Sequence, residues 1–302
     1  MRSRLISGRT LSAASALTLA LGTGIAAPVL LSGTAGAAAP SATAAVGGKS
    51  VVYTAAAGQA NKLDVTASRT GSGIDNLTYV IDDVVTIKAG RGCTYPTSSD
   101  HTKVSCQVDT LESQDPYATL EVFAGDRADA VKYTNKTDDA YYFASLDLGK
   151  GNDTLTEAAG VQGNSVLGGA GDDTLTLAEG SVVLGGDGKD TIRAGRGAIS
   201  KGGNGNDTIY ASGENSDVDG EAGNDVIRGG GNRQSLSGGD GDDTIRAGAG
   251  NDFLYGGKGN DVLYGEGGDD AIYGNSGDDK LYGGAGRDTL SGGPGRNEVH
   301  QD

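Results

Sequence analysis

The chain has 302 residues, among which are 54 glycines and no tryptophan, and only 36% of its residues are hydrophobic. This composition excludes an ordinary globular domain with a large core, and it leaves either disorder or a thin core built from stacked repeats. The formal net charge of −16 excludes nucleic acid as a natural partner, because phosphates would be repelled, and such clustered carboxylates need cations before they can pack together.

The first 37 residues have the pattern of a targeting segment. Three arginines precede an apolar stretch over residues 11–31, and Ala35-Gly36-Ala37 places small side chains where a signal peptidase cuts. A membrane anchor is the alternative, but two glycines and Pro28 interrupt the apolar stretch. We therefore predict a secretory signal peptide at residues 1–37 and a mature chain that is secreted and extracellular, without a membrane span.

Residues 38–148 form a segment in which apolar and polar residues alternate in short runs. Period-two patterns rich in Val, Thr and Tyr, separated by Gly and Asp, are typical of β-strands. We predict that this segment is β-rich, either as degenerate coils or a cap of a longer repeat structure, or as a distinct domain. The predicted strands lie at residues 50–54, 63–66, 77–81, 84–87, 103–108, 119–123 and 141–146.

Cys93 and Cys106 are the only cysteines. Because an exported chain meets an oxidising compartment, we predict a disulfide between them. It would close a short loop and constrain the unfolded chain by about 3 kcal/mol. A redox or metal-binding role is the alternative, but the two thiols have no second pair of ligands nearby in the sequence.

Nine-residue repeats run without interruption through residues 238–300. They follow the pattern Gly-Gly-x-Gly-x-Asp-x-U-x, in which U is a large aliphatic residue. Glycines permit a tight turn over the first six positions, the aspartate ends that turn, and U points inward from a short strand. The aspartates of the first six of these copies are Asp243, Asp252, Asp261, Asp270, Asp279 and Asp288, and the aliphatic residues are Ile245, Leu254, Leu263, Ile272, Leu281 and Leu290.

Looser copies of the repeat precede this array. Residues 125–131 contain a degenerate copy around Asp129, and a clear copy begins at Gly149. The spacing of the later copies is close to twice nine, which predicts a coil with two sides. One row of acidic turns begins at Asp153 and ends at Asn297, and the opposite row has acidic turns only from Asp252. The upstream aspartates are Asp153, Asp173, Asp190, Asp207 and Asp225, which with Asp243 are separated by 20, 17, 17, 18 and 18 residues.

The acidic turns have the oxygen chemistry of a metal site. Carbonyl and carboxylate oxygens are ligands suited to Ca²⁺, which accepts about six to eight oxygens in flexible geometry, whereas Mg²⁺ demands a stricter octahedron. One turn offers too few oxygens. The sequence therefore predicts sites that are shared by successive turns on the same side of the coil.

The repeats closely resemble the RTX, or haemolysin-type, calcium-binding nonapeptide repeat. The resemblance covers residues 149–299 and is most specific from Gly238 onward. It implies an all-β fold, with a right-handed parallel β-roll (β-solenoid) over residues 149–302 and multiple Ca²⁺ ions between successive turns. The metal ligands that the resemblance implies are Asp153, Asp173, Asp190, Asp207, Asp225, Asp243, Asp252, Asp261, Asp270, Asp279 and Asp288.

No catalytic motif accompanies the repeats. The chain has no His-Glu-x-x-His or Gly-x-Ser-x-Gly sequence, and its only histidines are His101 and His300. We therefore predict a non-catalytic calcium-binding β-roll that folds on ion binding and acts as a structural or interaction module. Its extracellular or cell-surface partner is not identified by the sequence. The alternative is that residues 38–148 form an adhesive or enzymatic domain to which the roll is an appendage.

Four tyrosines occupy the ninth position of successive copies and should form two ladders, one on each side of the coil. Stacking between strands is one interpretation, and a platform for a ligand is the other. The acidic loops also invite comparison with the paired carboxylates of glycosidases, but every loop is alike and no single cleft is distinguished. The four residues are Tyr255, Tyr264, Tyr273 and Tyr282.

Overall fold

A computed structural model describes residues 40–69, 76–110, 117–137, 142–158 and 163–301. The predicted signal peptide at residues 1–37 lies outside the described residues. The described residues form β-strands joined by turns and loops, with no α-helix among them. The prediction of an all-β fold is therefore confirmed. Within this part of the chain there is accordingly no helix with the length and apolar character needed to cross a membrane.

The strands are short, and most of those in the repeat region contain three to six residues. In chain order they are β1 (Ala42–Gly47), β2 (Ser50–Thr54), β3 (Lys62–Arg69), β4 (Asn76–Asp82), β5 (Ile87–Ala89), β6 (Cys93–Thr94), β7 (Lys103–Asp109), β8 (Tyr117–Phe123), β9 (Ala130–Asn135), β10 (Tyr142–Lys150), β11 (Thr154–Glu157), β12 (Ser165–Ala170), β13 (Thr174–Thr176), β14 (Val182–Asp187), β15 (Thr191–Ala194), β16 (Ile199–Asn204), β17 (Thr208–Ala211), β18 (Asp217–Ala222), β19 (Val226–Arg228), β20 (Ser235–Asp240), β21 (Thr244–Ala249), β22 (Phe253–Lys258), β23 (Val262–Gly267), β24 (Ala271–Ser276), β25 (Lys280–Ala285), β26 (Thr289–Ser291) and β27 (Glu298–His300).

From β8 onward the chain alternates between two parallel sheets. The even-numbered strands β8 to β26 extend a sheet of 13 strands, which we call sheet 1, and the odd-numbered strands β9 to β27 extend a sheet of 14 strands, sheet 2. One strand in each sheet makes one coil, and the strands of successive coils pair in parallel. Leu254, for example, lies between Leu236 and Ile272 in register. The predicted parallel β-solenoid, with a coil of two repeats, is therefore confirmed.

The core is a thin column of aliphatic side chains between the two sheets. Each U position predicted to face inward contributes to it, and burial of these apolar side chains is the main stabilising term available to so narrow a structure. Leu290, in the last complete coil, is partly exposed but packs against the same column. The fully buried members from the consecutive copies are Ile245, Leu254, Leu263, Ile272 and Leu281.

The glycine-rich turns set how closely successive coils stack. Gly259, the fourth residue of its copy, has a φ of +123°, a backbone region that residues with a side chain rarely adopt. A Cβ atom added there would also collide with the carbonyl oxygen of Gly241 in the preceding coil. Glycine at this position therefore provides both the turn and the close approach of neighbouring backbones.

The N-terminal segment continues the two sheets and then closes their ends. Strands β2 and β8 pair in parallel with each other in sheet 1, and β3 and β9 do so in sheet 2. Beyond them the pairing is antiparallel between β1 and β2 and along β3, β4, β7 and β6, while β5 pairs in parallel with β1 at the edge of sheet 1. Residues 40–302 make one compact contact unit. The functional division into segments 38–148 and 149–302 stays a prediction.

Two local expectations for the N-terminal segment have different outcomes. Cys93 and Cys106 form the predicted disulfide, which joins β6 to β7. The predicted strand at residues 84–87 is wrong for its first three residues, because β5 begins only at Ile87. Val84 instead lies in a bend with 63% of its surface exposed, so its apolar side chain has no inward partner that would hold it in a strand.

The tyrosine ladders form on both sheets. The rings of Tyr255 and Tyr273 stack on sheet 1, with centroids 5.4 Å apart. On sheet 2 the ring of Tyr264 stacks on Tyr282 at 4.8 Å, and Tyr282 stacks on the imidazole of His300 at 4.9 Å. Because stacked rings cover each other's faces, these contacts favour strand stabilisation over an open platform for a ligand.

Candidate metal centre

The aspartates predicted for the first row lie in one continuous column. The backbone N–H of each aspartate donates a hydrogen bond to the Oδ1 atom of the aspartate one coil further on, with N···O distances of 2.7–3.0 Å. The column ends where Asp279 donates to Oδ1 of Asn297 at 2.8 Å. Its predicted members, all at most 2% exposed, are Asp153, Asp173, Asp190, Asp207, Asp225, Asp243, Asp261 and Asp279.

The second row has the same construction on the opposite side of the coil. The N–H of Asp252 donates to Oδ1 of Asp270 at 2.8 Å, and the N–H of Asp270 donates to Oδ1 of Asp288 at 2.9 Å. Asp252 and Asp270 are buried, and Asp288 in the last complete coil is half-buried. The structure therefore brings all eleven predicted residues into the two rows that the 18-residue spacing indicates.

One oxygen of each carboxylate is left without a partner. While Oδ1 accepts the backbone hydrogen bond, Oδ2 is buried and has no hydrogen-bond partner among the described residues. An unsatisfied buried polar group costs about 1–3 kcal/mol, and more when it is charged. A repeated defect of this size would not persist in a stable fold, so the oxygens require a positive ligand or protons. The affected residues are Asp129, Asp153, Asp173, Asp190, Asp207, Asp225, Asp243, Asp252, Asp261, Asp270, Asp279 and Asp288.

The unpaired oxygens converge with carbonyl oxygens beside the first glycine of each turn. A Cβ atom added to Gly256 would collide with Oδ2 of Asp261 and with the carbonyl oxygen of Gly274 in the next coil. The same pair of neighbours, carboxylate and carbonyl, surrounds Gly238 and Gly265. The first glycine therefore keeps open a space whose walls are oxygen atoms from two successive coils.

Burial and mutual repulsion raise the proton affinity of these carboxylates. Burial, followed by the nearby charges of Asp243 and Asp279, raises the pKa of Asp261 to about 7 against the backbone hydrogen bond that lowers it. Burial likewise raises the pKa of Asp225 to about 7 and that of Asp270 to about 6. At neutral pH the metal-free rows therefore hold anionic charge that is poorly solvated and poorly paired.

The carboxylate and carbonyl oxygens of the turns are the type of ligand atom that Ca²⁺ binds. Among the described residues no three or more His, Cys, Asp or Glu side chains converge on one point, so a site must combine a few carboxylates with backbone carbonyls. Hard oxygen donors without nitrogen or sulfur are the ligands that Ca²⁺ prefers, and its flexible coordination tolerates the small differences between coils.

Asp129 belongs to the first row although it is absent from the predicted ligands. Its N–H donates to Oδ1 of Asp153 at 2.7 Å, its side chain is 2% exposed, and its Oδ2 has no partner. Burial raises its pKa to about 6. The degenerate copy at residues 125–131 is the signal in the sequence that marks it, because the aspartate and Gly125 keep their places although the first and fourth glycines of the pattern are replaced by Ala124 and Arg127.

The fifth position of the repeat forms a second, exposed ladder that the sequence analysis missed. The side chain of Asp242 accepts the backbone N–H of Asn260 at 2.7 Å, and that of Asn260 accepts the N–H of Asp278 at 2.9 Å. The recurrence of Asn or Asp before the buried aspartate was the available signal. These bonds run in the opposite direction to those of the buried rows, so each turn is tied to both of its neighbours.

The fold and the two rows define a parallel β-roll whose acidic turns face each other from coil to coil. Five segments match the profile of the RTX calcium-binding nonapeptide repeat (4 copies), at residues 159–184, 168–198, 201–233, 237–272 and 264–299. Residues 159–299 therefore contain RTX calcium-binding nonapeptide repeats, and the repeats of this family bind calcium. None of the curated proteins compared with the chain matches it.

The raised pKa values predict that the metal-free chain becomes less stable as the pH rises from about 4 to about 8. A carboxyl group with a raised pKa in the folded state stabilises that state below its unfolded pKa, and this contribution is lost as the pH rises through about 6 to 7. Calorimetric melting temperatures in metal-depleted buffer test this. Asp261→Asn should weaken the pH dependence, and a melting temperature that rises from pH 5 to pH 8 without metal would contradict the expectation.

Proposed function

We propose that this protein is a secreted calcium-binding β-roll that folds on Ca²⁺ binding and acts outside the cell as a non-catalytic structural or interaction module. The observation that carries the proposal is the pair of columns of buried, unpartnered Oδ2 atoms. Each lies beside a carbonyl oxygen of the next coil or within the same type of turn. Such columns are oxygen sites that need positive charge.

The aspartates of the two rows would hold Ca²⁺ together with carbonyl oxygens of their glycine-rich turns. The ion supplies the positive charge that the buried oxygens lack. Before export, where free Ca²⁺ is scarce, repulsion between the carboxylates keeps the coils apart, and outside the cell the binding free energy becomes folding free energy. The proposed ligands are Asp153, Asp173, Asp190, Asp207, Asp225, Asp243, Asp252, Asp261, Asp270, Asp279 and Asp288.

Binding should be cooperative along each row. The carboxylate of Asp261 already accepts the backbone N–H of Asp243, while the N–H of Asp261 donates to Asp279. A site between two coils therefore orders a turn that also serves the next site. In a linear repeat structure, the formation of one interface lowers the cost of the adjacent one.

Several features support an extracellular, non-catalytic role. The disulfide between Cys93 and Cys106 suits an oxidising compartment, as does the predicted signal peptide at residues 1–37. The chain lacks the zinc-protease and lipase motifs considered above, and its acidic turns are alike rather than gathered around one cleft. RTX β-rolls are typically structural, which agrees with a module that supports or displays rather than catalyses.

A second candidate role is adhesion through the N-terminal segment. An open depression of about 480 Å³ lies on sheet 2 and is lined by residues that include Lys62, Asp64, Asp83, Val84 and Lys132. Lys132 and Asp64 form an ion pair at 3.1 Å across it. A depression with polar walls and an exposed apolar edge is the kind of surface that a binding partner would use.

Circular dichroism during a Ca²⁺ titration tests the first proposal. We expect the purified chain in chelator at pH 7.5 to lack most of the β-signal of the roll, and to gain it over a narrow range of Ca²⁺ concentration. Mg²⁺ at the same concentrations should produce a smaller change, because it keeps its water shell and demands a stricter geometry. A spectrum that is already β-rich in chelator and unchanged by Ca²⁺ would contradict the proposal.

Aspartates within the strict array should matter more than those at its start. Asp261→Ala removes a ligand between intact coils on both sides, whereas Asp153 lies where the copies are irregular. We expect the Ca²⁺ midpoint of folding to rise more for Asp261→Ala than for Asp153→Ala. Tyr255→Ala, on the outer face of the roll, is the control for loss of a side chain without loss of a ligand. Equal midpoints for the two aspartate variants would argue against sites shared by stacked coils.

The adhesive candidate is tested by cosedimentation of the purified, Ca²⁺-loaded chain with a cell-envelope fraction. Val84→Arg adds bulk and charge at the edge of the depression without touching either row. A loss of cosedimentation in this variant, with an unchanged calcium content, would favour the adhesive role of segment 38–148. Equal cosedimentation of the variant and the unmodified chain would place any contact elsewhere.

A further inference from the structure

Gln234 stands in the column of the second row, one coil before Asp252. Its backbone N–H donates to Oδ1 of Asp252 at 2.8 Å, as the N–H of each aspartate does to the next. The strands that follow are also in register, since Ser235 pairs with Phe253. Gln234 is therefore the sixth residue of a copy whose first residue is Gly229, with an amide in place of the carboxylate.

The amide oxygen of Gln234 takes the place of the unpaired carboxylate oxygen. A Cβ atom added to Gly229 would collide with Oε1 of Gln234 and with the carbonyl oxygen of Ala247 in the next coil. This is the same pair of neighbours that surrounds the first glycine in the aspartate copies. Unlike those carboxylate oxygens, however, Oε1 of Gln234 has a partner, because it accepts the N–H of Gly230 at 3.1 Å.

The amide nitrogen of Gln234 points at carbonyl oxygens of the preceding coil. Nε2 donates to the carbonyl of Gly213 at 2.8 Å and to that of Ala211 at 3.3 Å. Ala211 lies 18 residues before Gly229, so its carbonyl belongs to the first position of the preceding turn. The side chain is 2% exposed, and its two N–H groups meet the kind of backbone oxygens that a cation would otherwise bind.

We propose that the Gln234 amide takes the place of a metal ion at the start of the second row. It supplies positive hydrogen atoms to the carbonyls of residues 211 and 213 without adding a charge that needs a counterion. The interface between these two coils is then closed by hydrogen bonds alone, and the ions of the second row begin only with Asp252. This inference rests on the proposed calcium-binding function.

Asn61, one coil before Asp129 in the first row, is a second buried amide that faces oxygen atoms, although its contacts lie in its own turn and in the following coil. Its Nδ2 atom donates to Oδ1 of Asp129 at 2.9 Å, to the carbonyl of Ala124 at 3.1 Å and to that of Gln59 at 3.3 Å. One buried amide nitrogen thus donates to a carboxylate and two carbonyl oxygens. These are the same types of oxygen atom that are proposed to bind the ions. A side-chain amide therefore stands one coil before the first aspartate of each row.

The isosteric variant Gln234→Glu tests the inference because it turns the amide donor into a third acceptor beside two carbonyls. We expect the variant to bind one more Ca²⁺ per chain than the unmodified protein, as measured by equilibrium dialysis at saturating Ca²⁺. At low, subsaturating Ca²⁺ its melting temperature should be lower than that of the unmodified protein. Saturating Ca²⁺ should restore most of this difference.

Two further variants keep the test decisive. Gln234→Met keeps the length of the side chain without any donor, and it should lose stability at low and at saturating Ca²⁺ and gain no ion. Ser235→Glu adds the same charge at the neighbouring outward position and should leave the calcium content unchanged. If the unmodified chain binds no Ca²⁺, the proposed function itself fails. If it binds Ca²⁺ but Gln234→Glu binds the same number of ions, the amide is not an ion substitute and the inference is overturned.

Discussion

The rest of this structure depends on buried aspartates in which only one of the two carboxylate oxygens has a hydrogen-bond partner. Each buried aspartate gives one oxygen to the backbone of the coil before it and holds the other where no donor of the described chain reaches. The first oxygen fixes the register of the coils, and the second makes that register costly unless positive charge is present. Folding and cation binding are therefore parts of one equilibrium.

The thin core explains why this constraint is decisive. One aliphatic side chain for each strand, such as Leu254 or Leu263, is buried between the sheets, and each coil touches only its neighbours. A globular domain can absorb a few unsatisfied charges within a large surplus of apolar burial, whereas a two-sheet column has little surplus for each coil. Whether the free energy of unfolding is positive is therefore decided by the charges in the turns and not by the core.

The sequence predicted the repeat region well because local and long-range order coincide there. A strict spacing of nine places Asp243 and Asp261 in one column and Asp252 in the other, with no tertiary information needed. The antiparallel closure by β4 and β7 was not predictable, since it depends on contacts between runs of similar pattern. Gln234 was missed because its chemistry differs from aspartate, and only the register of the coils reveals that it fills the same position.

Coils of unequal length nevertheless keep the columns aligned. Asp153 and Asp173 are 20 residues apart and Asp173 and Asp190 only 17, yet both steps have the same hydrogen bond of 2.8 Å. Extra residues are therefore accommodated away from the acidic corner. Such a chain can grow or shrink during evolution by the duplication or deletion of whole coils, since a new coil finds the same donors and acceptors above and below it. Insertions of single residues are tolerated only outside the turns. The smallest unit that can be duplicated or deleted without disturbing the acidic columns is therefore one complete coil.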